Sequence, residues 1–375
     1  MRQKLEYQAE RIEAVLALHK VEARVTGGTV TPRWVRFQVL PAVGAKISRI
    51  RGLSEELAAA LDASNCRVSR RGASVAVEVP RDDPQPVRLL PLYDQLTDQS
   101  ANHPSIPPVT AVLGLAEDGA PLLIRLPSPD VAHILVAGTT GSGKTVLLQT
   151  MILSLAVANP APAFSSQNSS SREELALVLV DPKCHAFKPF EGLPHLARPV
   201  IWKVEEVTEA LQSLVRLMER RGRTGKGGGQ PHVVVVIDEL ADLLMMGGKP
   251  VQHALTRLTQ RGREAGIHII AATQKPTSAV LGPLIKANFP VRLVGRVTSV
   301  EDARTATGWS GTGAERLTGR GDFVAVAEGR VTRFQVAHVS SAEIRDVTAQ
   351  LSPALAFSTH QIVLPEQVGV GRSVG

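Results

Sequence analysis

One octapeptide constrains this 375-residue chain more than any other feature. Gly138-Thr139-Thr140-Gly141-Ser142-Gly143-Lys144-Thr145 fits G-x-x-x-x-G-K-[ST], and it lies between an apolar run ending at Ala137 and a helix-compatible run from Val146 to Ala158. Glycines let the backbone curl until successive N–H groups face phosphate oxygens, and the following helix adds its positive end. In this pattern Lys144 reaches the β- and γ-phosphates of ATP, and Thr145 ligates Mg²⁺.

The rest of the chain must fold around that loop. Four runs, His133 to Ala137, Leu175 to Val180, His232 to Ile237 and Ile267 to Ala272, are nearly continuous in Val, Ile, Leu and Ala. Parallel strands buried on both faces read this way, so the fold class is α/β with a mostly parallel central sheet. In the helix from about Val204, residues Val207, Leu211, Leu214, Val215 and Met218 form an apolar stripe, with Arg216, Arg220 and Arg221 largely off it. Asp322 to Ala327 and Val331 to Val339 flank Glu328-Gly329-Arg330 as a hairpin. Two stretches, Asn159 to Ser171 and Gly222 to Gln230, read as surface loops.

The amino-terminal part reads as a small α/β module. A helix precedes a break at Thr26-Gly27-Gly28, a strand covers Arg33 to Leu40, and Gly52-Leu53-Ser54-Glu55-Glu56 offers an N-cap for a helix through about Ala63. Prolines and polar residues accumulate between Arg81 and Pro108. The expected division is therefore 1–108 for the small subdomain, 109–342 for the ATPase and 343–375 for a tail without a core of its own.

Polar residues cluster where strands end. Val233 to Ile237 leads into Asp238-Glu239, and two acids in an apolar setting need a cation or a polar partner. Sheets of this class bind ligands at strand carboxyl ends, which suits Asp238 to the Mg²⁺ shell and Glu239 to the activation of water. Acids also simply favour helix N-termini. Gln274 closes the next strand and is placed to report the γ-phosphate, while Asp181-Pro182-Lys183 ends another and reads as a structural turn. Arg261 and Arg263 end the helix after the acidic pair; from the residues alone, they satisfy its last carbonyls.

Composition sets outer limits. With 43% hydrophobic and 21% charged residues the chain is not disordered as a whole, and a net charge of +7 favours a polyanionic partner, although many enzymes carry such an excess. Aromatic residues, at 3%, do not suggest a stacking platform for single strands. Two cysteines, Cys66 and Cys184, build neither a disulfide framework nor a zinc site, which leads us to expect reduced thiols and a cytoplasmic location. No apolar stretch approaches the roughly 20 residues that span a bilayer, and Met1 opens a charged segment unlike a secretion signal.

In order, these motifs resemble the motor of the FtsK/SpoIIIE family of double-stranded DNA translocases. The resemblance rests on His133 to Thr145, Val180 to Lys183 with Glu191 to Leu196, Ile237 to Leu243, Ala265 to Pro276, and Leu284 to Asn288. Residues 20 to 125 are similar to the α-subdomain that precedes the RecA-like subdomain, through Leu40-Pro41 to Ser54 and Val112 to Gly114. The resemblance implies a RecA-like P-loop NTPase acting as a ring, a hexamer around duplex DNA, with ATP hydrolysed at subunit boundaries. It implies Arg263 as an arginine finger, and Lys275, Lys286 and Arg304 as pore-loop contacts to DNA phosphates; each also reads as a solvated cation.

The departures are an expected lack of membrane anchor and winged-helix module, and Val300 and Ala303 where family motors more often carry polar or basic residues. Such a motor suits a plasmid, phage or mobile element as well as chromosome segregation. A conjugative coupling or secretion ATPase, and a nucleotide-gated DNA-binding scaffold, are the competing readings; Lys144 and Glu239 argue against the scaffold.

Overall fold

The computed structural model describes residues 2–98, 106–162, 174–224, 230–274, 276 and 288–352. The chain divides into two compact units, Met1–Val87 with Leu115–Ala120, and Arg88–Gly114 with Pro121 onward. This division lies at the start of the proline-bearing stretch between Arg81 and Pro108.

In the first unit, α1 (Arg2–Leu18), α2 (Ile47–Gly52) and α3 (Ser54–Ala60) accompany four strands, β1 (Ala23–Val30), β2 (Trp34–Pro41), β3 (Arg67–Arg71) and β4 (Ser74–Pro80). The strands form an antiparallel sheet in the order β1-β2-β4-β3. Its core packs Ile12, Leu16, Phe37, Val39, Leu57, Val75 and Val77. The expected break at Thr26-Gly27-Gly28 is instead continuous strand, with a register shift between Val25 and Gly27. A bulge absorbs the extra residue. A Cβ at Gly28 would stand 3.0 Å from the Arg36 carbonyl oxygen, so the glycine permits close strand approach. Ser54 does not cap α3: Leu53 occupies the cap position, and no side-chain hydrogen bond is made there.

The second unit carries α4 (Leu89–Thr97), all but the last two residues of β5 (Thr110–Ala116), β6 (Pro121–Arg125), β7 (Ile134–Ala137), α5 (Lys144–Ala158), β8 (Leu175–Val180), α6 (Val204–Thr224), β9 (His232–Ile237), α7 (Leu240–Arg261), β10 (Ile267–Thr273), β11 (Val291–Val294), α8 (Val300–Thr307), β12 (Asp322–Ala327), β13 (Arg330–Val336) and α9 (Ser341–Leu351). The described strands order as β6-β5-β13-β12-β11-β7-β10-β9-β8. From β8 to β11 the pairings are parallel; β12 and β13 then join as an antiparallel hairpin. After β7 the chain crosses to β8 at the far edge, returns through β9 and β10, and resumes on the other side with β11. Strand β7 thus marks a switch point, the place where open sheets of this class open a ligand crevice.

Burial explains the long apolar runs. Every residue of β7, β8 and β10 is buried, and α5 is buried over most of its circumference, so its polar side chains need internal partners. Thr150 donates to the Ala337 carbonyl at 2.6 Å, and Gln149 donates to that of Ala186 at 2.7 Å. The apolar stripe of α6 is buried as expected. Arg221 is not off that stripe in effect: it is buried, donating to the carbonyls of Ala265 at 2.6 Å and Pro231 at 3.0 Å. At the amino-terminal ends of β7 and β10, burial pushes His133 down to about 4 and His268 to about 3, which keeps both rings neutral around pH 7. Helix α9 crosses residue 342 with a capping box at Ser340 and Glu343, burying Ile344.

Candidate nucleotide site

Parallel pairing brings five loops to one edge. Ala137 lies opposite Thr273 and Val294, Ile237 opposite Ala271, and Val180 opposite Ile237. The residues that follow these strand ends, Gly138, Gln274, Gly295, Asp238 and Asp181, therefore share the carboxyl side of the sheet.

The phosphate loop is shaped by backbone contacts. Gly143 precedes α5 in the left-handed region (φ 105°), and no side chain caps that helix end. Its first amides are left to a ligand. The turn at Gly319-Arg320-Gly321 holds the loop from behind: Arg320 N–H donates to the Gly141 carbonyl at 3.0 Å, and Gly321 N–H to that of Ser142 at 2.7 Å. A trans peptide puts its N–H opposite its carbonyl, so these bonds turn the Ser142 and Gly143 amides away from the turn. A Cβ at Gly143 would stand 2.8 Å from the Gly321 nitrogen. Thr139 is tied to the Arg296 carbonyl through both its N–H (2.8 Å) and its hydroxyl (3.0 Å).

Lys144 is buried and donates from Nζ to the carbonyls of Gly138 at 2.6 Å and Thr139 at 3.2 Å. Desolvation pushes its ammonium down to about 8, against the pull of Glu239 and Asp238. Asp238 moves the other way, up to about 6, through burial and then the like charges of Asp181 and Glu239. Crowded acids beside a depressed lysine form a site that gains from a polyphosphate and a cation. Thr145, exposed in the first turn of α5, and Asp238 would hold Mg²⁺, an ion that takes few protein oxygens and keeps waters and phosphates as its other ligands. Ser142 supplies a further polar atom: its Oγ is buried without a hydrogen-bond partner.

Glu239 stands at the N-cap position of α7, yet its side chain does not cap that helix. The carboxylate, 3% exposed, instead accepts the Gln274 N–H at 3.2 and 3.3 Å. Gln274 in turn takes the Thr140 hydroxyl on Oε1 at 2.9 Å, which links β10 to the phosphate loop. Lys144, Asp238, Glu239 and Gln274 are thus gathered together with the loop residues Gly138 to Thr145.

The family model described as "FtsK/SpoIIIE family" matches residues 92–229 and 222–278, and that described as "FtsK alpha domain" matches 1–81. The chain belongs to the FtsK/SpoIIIE family. Curated FtsK/SpoIIIE relatives named DNA translocase FtsK include one from Staphylococcus epidermidis, 35% identical over 90% of this chain and 43% of its own length, and one from Bacillus anthracis, 33% identical over 96% and 47%. The chain spans less than half of these relatives. The pCW3 conjugation coupling protein TcpA shares the fold, with a TM-score of 0.61 at 19% identity over 92% of this chain and all of that one. So does the type VII secretion ATPase EccC of Thermomonospora curvata, at 0.57 and 24% over 71% and 33%. The fold is accordingly the RecA-like P-loop ATPase fold of these FtsK/SpoIIIE-type proteins. Among the described residues, no helix is long and apolar enough to cross a membrane.

Two further residues that the FtsK/SpoIIIE resemblance implies, Arg263 and Arg304, pair with groups other than Asp238 and Glu239. Arg263 opens a short turn after α7, and its guanidinium donates to the Pro129 carbonyl at 2.8 Å. It does not close the carbonyls of its own helix as the bare sequence suggests. Arg304 is exposed on α8, 3.9 Å from Glu301. Lys275 and Lys286 lie outside the described residues, as do 163–173, 225–229 and the tail from 353. The sequence reading missed the Gly319–Gly321 turn and Lys183. Two glycines around one residue before a strand signal a left-handed turn; Asp181-Pro182-Lys183 ends a strand next to Asp238-Glu239.

Proposed function

We propose that this chain is an ATP-hydrolysing motor that moves double-stranded DNA in the cytoplasm. The reading rests on the convergence of Lys144, Asp238, Glu239 and Gln274 around the phosphate loop, and likeness to curated DNA translocases supports duplex DNA as the cargo. Glu239 takes a proton from water as the water oxygen bonds to the γ-phosphorus, and the bond to the β–γ bridging oxygen breaks to release ADP and phosphate. Lys144 neutralises charge on the phosphate oxygens, and Gln274 passes the state of that end to β10. Mg²⁺ held by Thr145 and Asp238 would supply further neutralisation of the phosphate charge.

The motor works as a ring of six with hydrolysis at each boundary, where Arg263 of one protomer completes the charge cage of its neighbour. Lys275, Lys286 and Arg304 hold the DNA backbone. Phosphate contacts position a duplex without reading its sequence, which is what a motor needs. Replacing all three by Ala should make the slope of log affinity against log salt shallower by roughly 2 to 3, at about 0.9 per lost contact. An unchanged slope returns them to ordinary surface cations.

The function itself is tested by ATPase rates with linear duplex, single-stranded DNA and no DNA. Duplex should raise turnover at least tenfold over the other two conditions. Equal rates in all three contradict a DNA motor, and a preference for single strands replaces it with a coupling-type ATPase.

A further inference from the structure

We infer that Lys183 is a positioning residue for the carboxylate that activates water, an inference that rests on the hydrolase reading above. Strands β8 and β9 pair in parallel with Val180 opposite Ile237, so Asp181 and Asp238 emerge side by side. Asp181 then folds the chain after β8. Its carboxylate accepts the N–H groups of Lys183 at 3.2 Å, Ala186 at 2.7 Å and Phe187 at 3.1 Å. That turn carries the Lys183 side chain across to the neighbouring strand end, where Nζ lies 3.8 Å from Glu239 Oε2 and 3.4 Å from Asp242 Oδ2.

The Glu239 carboxylate therefore sits between two supports, a cation delivered from β8 and the Gln274 amide delivered from β10. Asp242, three residues along in the first turn of α7, steadies the ammonium at its other side. A general base works when its oxygens are held within about 0.5 Å and 10–20° of the productive geometry, by groups that are themselves fixed. The Gln274 amide alone leaves the carboxylate one hinge; Lys183 removes it. Lys144 has a separate task in the hydrolase reading, because its Nζ is bound to the Gly138 and Thr139 carbonyls of the phosphate loop. Lys183 acts through Glu239, without touching the reacting atoms.

Lys183→Met, which keeps the apolar stem and removes the charge, tests the assignment in the full chain. We expect kcat for ATP to fall about 10- to 100-fold, the loss that a misplaced group produces. KM for ATP and the affinity for a fluorescent ATP analogue should stay within about threefold, since the phosphate loop is untouched. Lys183 itself is half-exposed, and Glu239 keeps the Gln274 N–H, so the melting midpoint should move by no more than about 3 °C. In a Glu239→Gln background, Lys183→Met should change the residual rate by less than about twofold, because nothing remains to be positioned. A kcat unaltered by Lys183→Met in an active enzyme overturns this inference alone, as does an equal loss in the Glu239→Gln background. A native chain with no turnover under any condition overturns the hydrolase reading and this inference with it.

Discussion

Glu239→Gln should leave ATP binding within a fewfold of the native chain and lower hydrolysis about 10³-fold, within the range of about 10²- to 10⁴-fold for loss of a general base. The geometry separates the two effects. Glu239 follows β9 and accepts the Gln274 N–H, whereas the proposed phosphate grip belongs to Lys144, bonded within the loop, and to the uncapped amides that begin α5. Glutamine has nearly the same shape and retains a carbonyl oxygen for the Gln274 N–H, so the edge of the sheet keeps its arrangement. It cannot accept a proton from water. Equilibrium binding of a fluorescent ATP analogue, measured beside single-turnover hydrolysis, gives both numbers. Near-normal turnover would refute the assignment of Glu239, and loss of binding would show that the substitution had disturbed the loop.

Arg263→Ala should lower the ATPase rate by 10³-fold or more, the effect of removing an arginine that completes the charge cage. Its distinguishing feature is that the loss can be repaired from a second, differently defective subunit. A subunit with Arg263→Ala retains its own Lys144, and one with Lys144→Ala retains Arg263. In a head-to-tail ring mixed at random in equal amounts, about a quarter of the boundaries pair a sound phosphate loop with a sound arginine, so about a quarter of the native rate should return. Within one protomer the Arg263 guanidinium already donates to the Pro129 carbonyl. If that bond is the residue's whole contribution, the defect stays inside each chain and no mixing ratio restores activity.

The parts of this molecule that could be read from the sequence are those fixed by short spacing. A phosphate loop needs its glycines, lysine and threonine at set intervals, and buried parallel strands need uninterrupted apolar runs, so β7 to β10 and the Asp238-Glu239 pair were visible before the fold was known. Features set by contacts between distant segments were not. Arg221 follows Met218 by three residues and so borders the apolar stripe of α6; its charge reads as solvent-facing, yet the chain beyond α6 and α7 offers it the carbonyls of Pro231 and Ala265. Gly27-Gly28 has the composition of a break, but across from β2 it makes a bulge and a close approach. The backing of the phosphate loop by Arg320 and Gly321 joins residues almost 180 positions apart, and only the return of the chain through β11 and the turn before β12 creates it. Lys183 is the sharpest case. The motif reads as a turn, and Asp181 does build one, while the direction in which the turn sends the lysine depends on which strand lies beside β8.

The most direct test of the central claim is displacement of a third strand from a triplex on linear duplex DNA, followed together with ATP consumption by the same purified chain. A motor should release the third strand only with hydrolysable ATP, after a lag that lengthens with the distance between the duplex end and the triplex, and the Glu239→Gln variant should release none. Full duplex-stimulated ATP consumption with the third strand left in place would contradict movement along DNA.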